Sequence, residues 1–288
     1  MDDRKKGAII LIVSTVFFAL VNIFVKLAEG IPLMEIIMYR NLINTIFALY
    51  LLKQESAKLS FPDKKSGIAM FSRCVCGLIS LLCNMYAATN APQTVVSTIT
   101  RLAPYMTIVL GALILKEKVY PYHYVAMIVA IVGVIIVTGK IGVDAQFIPL
   151  LAAFICAVLS AFIKLFLRML KGKLAPSATV FYYASFSFIT AIPFTIANYV
   201  APSGIQWFYL FMIGISATIA QITLSRGLQM VPAGEGSMYD LAGIPASAIL
   251  ALFILGEAIK MRIIIGGGLI IIAAYILFSG NKTSEKEG

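Results

Sequence analysis

The feature that most constrains the fold is a succession of about ten apolar stretches, each roughly 18–24 residues long. An apolar run of that length crosses the hydrocarbon core of a bilayer as a single helix. Since lipid offers no hydrogen-bonding partner to exposed backbone, the stretches predict an all-α polytopic membrane protein with ten transmembrane helices. The predicted spans are residues 7–27, 34–52, 67–88, 93–115, 122–139, 147–168, 177–200, 205–228, 234–255 and 262–279.

The composition excludes a soluble protein. Of the 288 residues, 60% are hydrophobic and 12% are charged, whereas soluble domains carry about 25% charged residues. The net charge of +10 does not indicate nucleic-acid binding, because no basic, aromatic-rich patch lies outside the spans. We therefore expect the lipid bilayer and a small-molecule substrate as partners, no nucleic acid, and a monomer or homodimer.

The distribution of basic residues predicts the orientation in the membrane. With the N-terminus inside, the cytoplasmic segments hold 14 lysines and arginines and the outer loops hold 3. Positive charge accumulates in cytoplasmic loops, so we expect a cell (inner) membrane protein with both termini in the cytoplasm. The cytoplasmic set is Arg4, Lys5, Lys6, Lys53, Lys58, Lys64, Lys65, Lys116, Lys118, Arg168, Lys171, Lys173, Lys282 and Lys286, and the outer set is Lys140, Lys260 and Arg262.

The second half of the sequence repeats the first. Residues 19–26 resemble residues 157–164 at an offset of 138, and a proline precedes a glutamate by 25 residues in both the fourth and the ninth span, at an offset of 140. This predicts two five-helix repeats, residues 1–140 and 141–288. An odd number of helices inserts the second copy upside down, and such inverted repeats favour a transporter with alternating access. The proline–glutamate pairs are Pro92 with Glu117 and Pro232 with Glu257.

Charges deep in the spans are the first candidates for a binding site, because they are costly in lipid and usually face a cavity or a partner. Arg101 lies eight residues into the fourth span, about 12 Å deep. It either holds a substrate carboxylate or phosphate or forms a structural salt bridge. Asp240 corresponds to Thr100 at the 140-residue offset, so it either gates the site with Arg101 or has a structural role.

Other charged residues have simpler explanations. Arg40, five residues after Glu35 in the second span, either serves the site or forms an interhelical pair. Long basic side chains near span ends are expected to snorkel to the membrane surface, and glutamates at helix ends to fix those ends electrostatically. The expected snorkelling residues are Lys26, Lys164, Arg73 and Arg226, and the helix-end glutamates are Glu117 and Glu257.

Neutral polar and aromatic side chains complete the candidate site. A pocket of rings with a few convergent polar groups suits an organic solute. Asn22 and Ser160 are repeat mates, Gln221 lies within the eighth span, and Tyr105 follows Arg101 by one helical turn. The candidate residues are Arg101, Asp240, Tyr105, Tyr239, Asn22, Ser160, Gln221, Arg40 and Tyr86.

No cofactor, metal site or catalytic constellation is expected. The four cysteines lie in spans far in sequence from His123, without metal-ligand spacing. The longest loop, at about 53–66, is basic and has no catalytic constellation of a nucleophile or paired acids, which argues against an enzyme. No polar stripe or carbonyl-lined filter indicates a channel.

Several of these residues carry a family resemblance. The chain is similar to the drug/metabolite transporter superfamily, specifically its ten-helix EamA-type members. Within it, the chain most resembles the organic-solute branch that includes S-adenosylmethionine and riboflavin carriers, with amino-acid exporters next. It differs from the four-helix multidrug exporters, whose essential acid sits in the first helix. The matching residues are Lys26, Glu35, Arg40, Arg73, Ala91, Pro92, Pro104, Leu115, Lys116, Glu117, Val231, Pro232, Pro245, Leu255, Gly256 and Glu257.

The resemblance implies a central cavity lined by helices 1, 3, 4, 6, 8 and 9, with helices 5 and 10 at the periphery. There the glycines Gly133 and Gly266–Gly268 are expected to allow close helix packing. Because basic groups outnumber acids among the buried charges, we expect a carrier of a small anionic or zwitterionic metabolite. The alternative is an exporter of cationic compounds.

Overall fold

Helix is the only regular secondary structure in the residues that the computed structural model describes, which are 3–57, 59–115, 120–138, 147–170, 172–230, 239, 243–257 and 260–287. These ranges contain eleven helices. They are α1 (Asp3–Leu27), α2 (Leu33–Gln54), α3 (Lys64–Asn90), α4 (Gln93–Thr100), α5 (Ala103–Leu115), α6 (Pro121–Thr138), α7 (Phe147–Leu170), α8 (Pro176–Ala197), α9 (Gly204–Met230), α10 (Gly243–Leu255) and α11 (Met261–Glu287).

The helices have the length and surface of a membrane protein. Five of them, α1, α3, α7, α8 and α9, are long and apolar enough to span a bilayer, and α6, α10 and α11 contain shorter apolar helices. Large apolar side chains point outward, such as Ile196 at 75% exposure and Phe253 at 81%. Apolar patches of this extent need lipid around them. The prediction of an all-α polytopic membrane protein is confirmed.

The fourth predicted span differs from the prediction because it is two helices. α4 ends at Thr100 and α5 begins at Ala103. Pro104 has no N–H to donate to the carbonyl of Thr100, so the helical hydrogen-bond ladder is interrupted there. The chain re-forms it from Leu102, whose carbonyl accepts from the backbone N–H of Tyr105 at 3.0 Å. Arg101 therefore lies at a break in the middle of the span.

The most extensive helix contacts join the two halves of the chain. α1 packs on α9, α3 on α7, α2 on α8, and α6 on α11, while α4 contacts α10. The largest apolar cluster lies among α1, α2, α3 and α9, where Val25, Ile37, Met85 and Ile213 are all fully buried. The interior of the bundle is consequently built from both halves.

Helices α6 and α11 pack mainly on each other, with their backbones in close approach. A β-carbon on Gly133 would lie 2.7 Å from the carbonyl oxygen of Gly266, and one on Gly266 would overlap the carbonyl oxygen of Gly133. Gly268, two residues further along α11, has nothing within 4 Å of its β-carbon position. The expected close packing is confirmed for Gly133 and Gly266 and does not extend to Gly268.

This difference gives a matched test of the packing. Gly266→Ala should lower the melting temperature, because rigid backbone must move and overpacking costs about 1–3 kcal/mol. Gly268→Ala should leave it unchanged or raise it, since alanine favours helix by about 1 kcal/mol and meets open space. Thermal unfolding of both purified variants checks this. Equal melting temperatures would show that α6 and α11 do not meet at these glycines.

Candidate functional site

A cavity of about 220 Å³ lies between helices of both halves. Side chains of α1, α2, α3, α7, α8 and α9 line it, together with the α4–α5 break. Apolar and aromatic groups make most of its wall, and polar groups are interspersed among them. The neutral lining residues are Phe18, Val21, Asn22, Gly77, Ser80, Leu81, Asn84, Thr100, Ala103, Cys156, Ser160, Ile163, Leu167, Tyr183, Gln221, Leu224 and Ser225.

The charged lining of the cavity is entirely basic within the part of the chain that the structure describes. Arg40, Arg73, Arg101 and Lys164 line it, and no aspartate or glutamate does so. Ala103, the first residue of α5, also lines it, and a helix N-terminus carries partial positive charge.

Arg101 reaches the cavity from the α4–α5 break. Its guanidinium lies against Gly243, the first residue of α10, where a β-carbon would overlap it. Glycine at this position therefore makes room for the arginine. Asp240, the predicted partner of Arg101, lies outside the described residues.

Arg40 enters the cavity from α2 and is 2% exposed. Its Nη1 donates to Oδ1 of Asn41 at 3.4 Å. Glu35 forms no ion pair with it; instead, Oε2 of Glu35 accepts a hydrogen bond from the backbone N–H of Val200 at 3.1 Å. Glu35 thus stabilises the α8–α9 connection, and the charge of Arg40 faces the cavity.

Arg73 corrects one expectation. It does not snorkel to the membrane surface but is 3% exposed and lines the cavity. Its Nη1 donates to the carbonyl of Thr179 at 3.3 Å, and its guanidinium lies 5.0 Å from the centre of the Tyr183 ring. The cation–π contact and the hydrogen bond hold the guanidinium in place deep in the bundle.

Polar residues on α3 form a stripe that sequence reasoning missed. Arg73, Gly77, Ser80 and Asn84 are spaced by four, three and four residues, which places them on one helix face. That spacing was the available signal. The stripe contacts two predicted site residues, since Nδ2 of Asn84 donates to Oδ1 of Asn22 at 2.7 Å and the hydroxyls of Ser80 and Ser160 lie 3.2 Å apart.

Five of the nine predicted site residues line the cavity, three do not, and Asp240 lies outside the described residues. Arg101, Arg40, Asn22, Ser160 and Gln221 are brought together there. Tyr105, Tyr86 and Tyr239 are not among the lining residues.

The three tyrosines of the predicted site lie outside the cavity lining. The hydroxyl of Tyr105 donates to the carbonyl of Ile270 in α11 at 2.9 Å, in an apolar cluster. Tyr105 faces α11 because the break turns α5 relative to Arg101. Tyr86 is 36% exposed, and Tyr239 is half-buried.

An ion pair ties three segments together at one end of the bundle. Nζ of Lys26, at the end of α1, lies 2.7 Å from Oε1 of Glu257, just after α10. The same oxygen accepts from the backbone N–H of Gln93 at 3.1 Å, and Nζ also donates to the carbonyl of Ala91 at 3.4 Å. We call this arrangement the Lys26 latch. Lys26 was expected to snorkel and instead has this partner.

Ion pairs at the opposite end of the bundle are more exposed. Nζ of Lys173 lies 2.9 Å from Oδ2 of Asp63, and Nη2 of Arg226 lies 3.4 Å from Oε1 of Glu55. Hydrogen bonding to Lys173 holds the pKa of Asp63 down at about 2. Exposed pairs of this kind contribute little to stability.

Comparison with known proteins places this architecture in a family. The family model described as the EamA-like transporter family matches residues 5–139 and, a second time, residues 147–279. A pseudopaline exporter of Pseudomonas aeruginosa is 25% identical over 285 residues, covering 98% of this chain and 99% of its own. An S-adenosylmethionine uptake transporter of Rickettsia felis is 26% identical over 204 residues, covering 70% of this chain and 69% of its own.

A solved crystal structure has the same fold. It superposes with a TM-score of 0.74 at 16% sequence identity, covering 95% of this chain and 97% of that one. The relatives are transporters, and the two family matches together span almost the whole sequence. The chain therefore belongs to the EamA-like transporter family and is a multi-pass membrane transporter.

Proposed function

We propose that this protein carries a small anionic or zwitterionic organic metabolite across the inner membrane by alternating access. The observation that carries the proposal is the basic lining of the central cavity. Arg40, Arg73, Arg101 and Lys164 line it, and Arg40 and Arg73 form no ion pair within the part of the chain that the structure describes.

The physical argument is the cost of buried charge. A cation within a bundle surrounded by lipid is stable only with a compensating anion or hydrogen bonds. A substrate carboxylate or phosphate supplies both, since it accepts forked hydrogen bonds from guanidinium groups. A cationic substrate would meet repulsion from Arg40 and Arg73, whose charges no described carboxylate compensates. The cavity therefore favours an anionic group over the alternative of a cationic drug.

Alternating access is supported by the way in which the helices pair. Under a five-plus-five repeat, α1 corresponds to α7 and α9 corresponds to α3. The contact of α1 with α9 then has its mate in the contact of α7 with α3, and both are among the most extensive in the bundle. The two matches of one family model support the same division. Two such halves rocking about a shared site give access to each side in turn.

In this cycle, the Lys26 latch holds one end of the helix bundle closed. With the N-terminus in the cytoplasm, the end of α1 faces outward, so the latch joins α1, the α3–α4 connection and α10 on the outer side. The pair is partly exposed, with side-chain exposures of 28% and 17%, so water can solvate both groups as this end opens. We propose that outward opening requires this latch to separate.

Arg101→Gln tests the proposed binding site. We expect at least tenfold weaker binding of carboxylate-bearing metabolites, because a hydrogen bond to a charged group contributes about 1.5–3 kcal/mol. The measurement is the ligand-induced rise in melting temperature across amino acids, organic acids, nucleotides, S-adenosylmethionine, flavins and cationic dyes. Arg226→Gln, which removes an exposed arginine outside the cavity, is the matched control.

A second variant tests whether binding depends on the position of the Arg101 guanidinium as well as on its charge. Gly243→Ala keeps Arg101 but displaces its guanidinium, so it should weaken binding as well while the chain still folds. Unchanged affinity in Arg101→Gln would contradict the role of Arg101 in binding. Stabilisation by cationic dyes alone would replace the proposal with multidrug export.

Glu257→Gln tests the latch. Without the carboxylate charge, the outer end should open more often, and a cysteine at position 22 should react several-fold faster with a membrane-impermeant maleimide added outside. The four native cysteines are first replaced by alanine, because Cys156 also lines the cavity. Glu55→Gln, which removes an exposed ion pair at the other end, is the control. Equal labelling rates in both variants would contradict a latch at Glu257.

A further inference from the structure

Two asparagines in the wall of the cavity form a hydrogen-bonded pair between α1 and α3. Nδ2 of Asn84 donates to Oδ1 of Asn22 at 2.7 Å, and both residues line the cavity and are partly buried. Lys26 follows Asn22 by one helical turn on α1, so the pair lies just inside the Lys26 latch. We call these two side chains the amide pair.

The amide pair keeps unused hydrogen-bonding groups of both kinds. A carboxamide has a carbonyl oxygen and two N–H donors. Within the residues that the structure describes, these two side chains make no hydrogen bond other than the one between them. The NH₂ group of Asn22 and the carbonyl oxygen of Asn84 are therefore left over. Exchanging the roles of the two amides leaves the same set, one NH₂ group and one carbonyl oxygen.

The neighbouring hydroxyl groups differ from the amide pair because they bond to each other and to the backbone. Ser80 lies one helical turn before Asn84 on α3, and its Oγ donates to the carbonyl of Cys156 at 3.3 Å. The same oxygen lies 3.2 Å from Oγ of Ser160. These contacts join α3 to α7 within the protein, whereas the amide pair has groups left for a ligand.

An amide group on a ligand is the complement of what the pair leaves over. Its carbonyl oxygen accepts from the NH₂ group of Asn22, and its N–H donates to the carbonyl oxygen of Asn84. A carboxylate brings acceptors only and an ammonium brings donors only, so either one leaves part of the pair unsatisfied. Since an unpaired polar group away from water is costly, the pair favours a neutral group that both donates and accepts.

We propose that the amide pair binds a neutral amide-type group of the substrate, either a carboxamide or the lactam edge of a nucleobase. The inference rests on the proposed function and adds a requirement to it. Besides its acidic group, the substrate carries a carbonyl oxygen beside an N–H donor, and this group binds next to the Lys26 latch.

Two pairs of ligands test the proposal, because the members of each pair differ in one N–H donor. Glutamine is compared with its methyl-ketone analogue, in which a methyl group replaces the amide nitrogen. Uridine monophosphate is compared with its derivative methylated at the ring N–H. The first pair probes a carboxamide and the second a nucleobase edge, so the two sources are distinguished. Affinity is taken from the concentration dependence of the melting temperature of the purified full-length protein at constant ionic strength.

In the wild-type protein, the amide member of at least one pair should bind about tenfold tighter than its partner or more, because a site that pairs with an N–H group rejects a ligand without it. In the double variant Asn22→Leu with Asn84→Leu, this preference should disappear while the partner compound still binds. Both residues are changed together because either asparagine alone still offers a complete carboxamide. Leucine has nearly the shape of asparagine, so the double replacement should be close to neutral for stability.

Two further variants keep the test decisive. Asn90→Leu changes an exposed asparagine at the end of α3, outside the cavity lining, and should keep the wild-type preference. Asn22→Ser with Asn84→Ser gives the same test where the leucine variant does not fold, because small polar residues are well tolerated between membrane helices. A pair that serves helix packing alone would lower the melting temperature of the ligand-free leucine variant and leave the preference unchanged.

The outcomes separate this inference from the proposed function. Equal affinity within both ligand pairs for the wild-type protein would overturn the amide position, and so would a preference that persists in the double variants. If carboxylate or phosphate compounds still bind in either case, the anion carrier stands. If no carboxylate or phosphate compound binds the wild-type protein, the proposed function fails and this inference fails with it.

Discussion

The cost of placing charge inside a lipid-surrounded bundle determines where the functional chemistry of this protein lies. The charge of Lys26 is compensated within the protein by the carboxylate of Glu257, at 2.7 Å. The buried charges of Arg40 and Arg73 are only partly compensated, by hydrogen bonds of 3.4 and 3.3 Å respectively and by no carboxylate among the described residues. A fold that keeps such cations retains them for a reason other than stability, since replacing a buried charge by an apolar group is often stabilising. An anion that supplies the missing charge and acceptors would therefore stabilise the cavity, which is the physical basis of the proposed binding.

The break at Arg101 links this chemistry to the backbone. Pro104 interrupts the helical ladder, and the interruption falls where Thr100, Arg101 and Ala103 line the cavity. Interrupted helices at mid-membrane depth are tolerated only where they line a cavity, because their backbone groups need partners there. Gly243 then gives the guanidinium space against α10. The break at Pro104 and the space at Gly243 thus together allow the guanidinium of Arg101 to line the cavity.

Sequence reasoning predicted the helices well, because long apolar runs have few alternatives in a membrane. It selected Arg101 by depth alone, and the cavity contains it. It misjudged Arg73 because that residue was taken to lie near a span edge, whereas α3 starts at Lys64 and carries it nine residues inward. The stripe at positions 73, 77, 80 and 84 held the missing signal. The prediction that Tyr105 belongs to the site was wrong for a different reason. It assumed that one continuous helix runs through Arg101 and Tyr105. The position of Pro104 in the sequence does not show how large the break between α4 and α5 is.

The three cavity arginines come from the first half of the chain, and the 138–140 residue offset gives none of them a basic counterpart: positions 178–180, 211–213 and 239–241 hold no lysine or arginine. The two halves of the chain thus contribute unequally to the arginine lining of the cavity. This inequality suits a carrier. In the proposed cycle, anion binding to the buried arginines would supply free energy for separating the Lys26 latch. A ligand shifts a conformational equilibrium only by its difference in affinity between the two states. In the proposed cycle, the substrate would therefore set which side is open through the difference between its affinities for the two states.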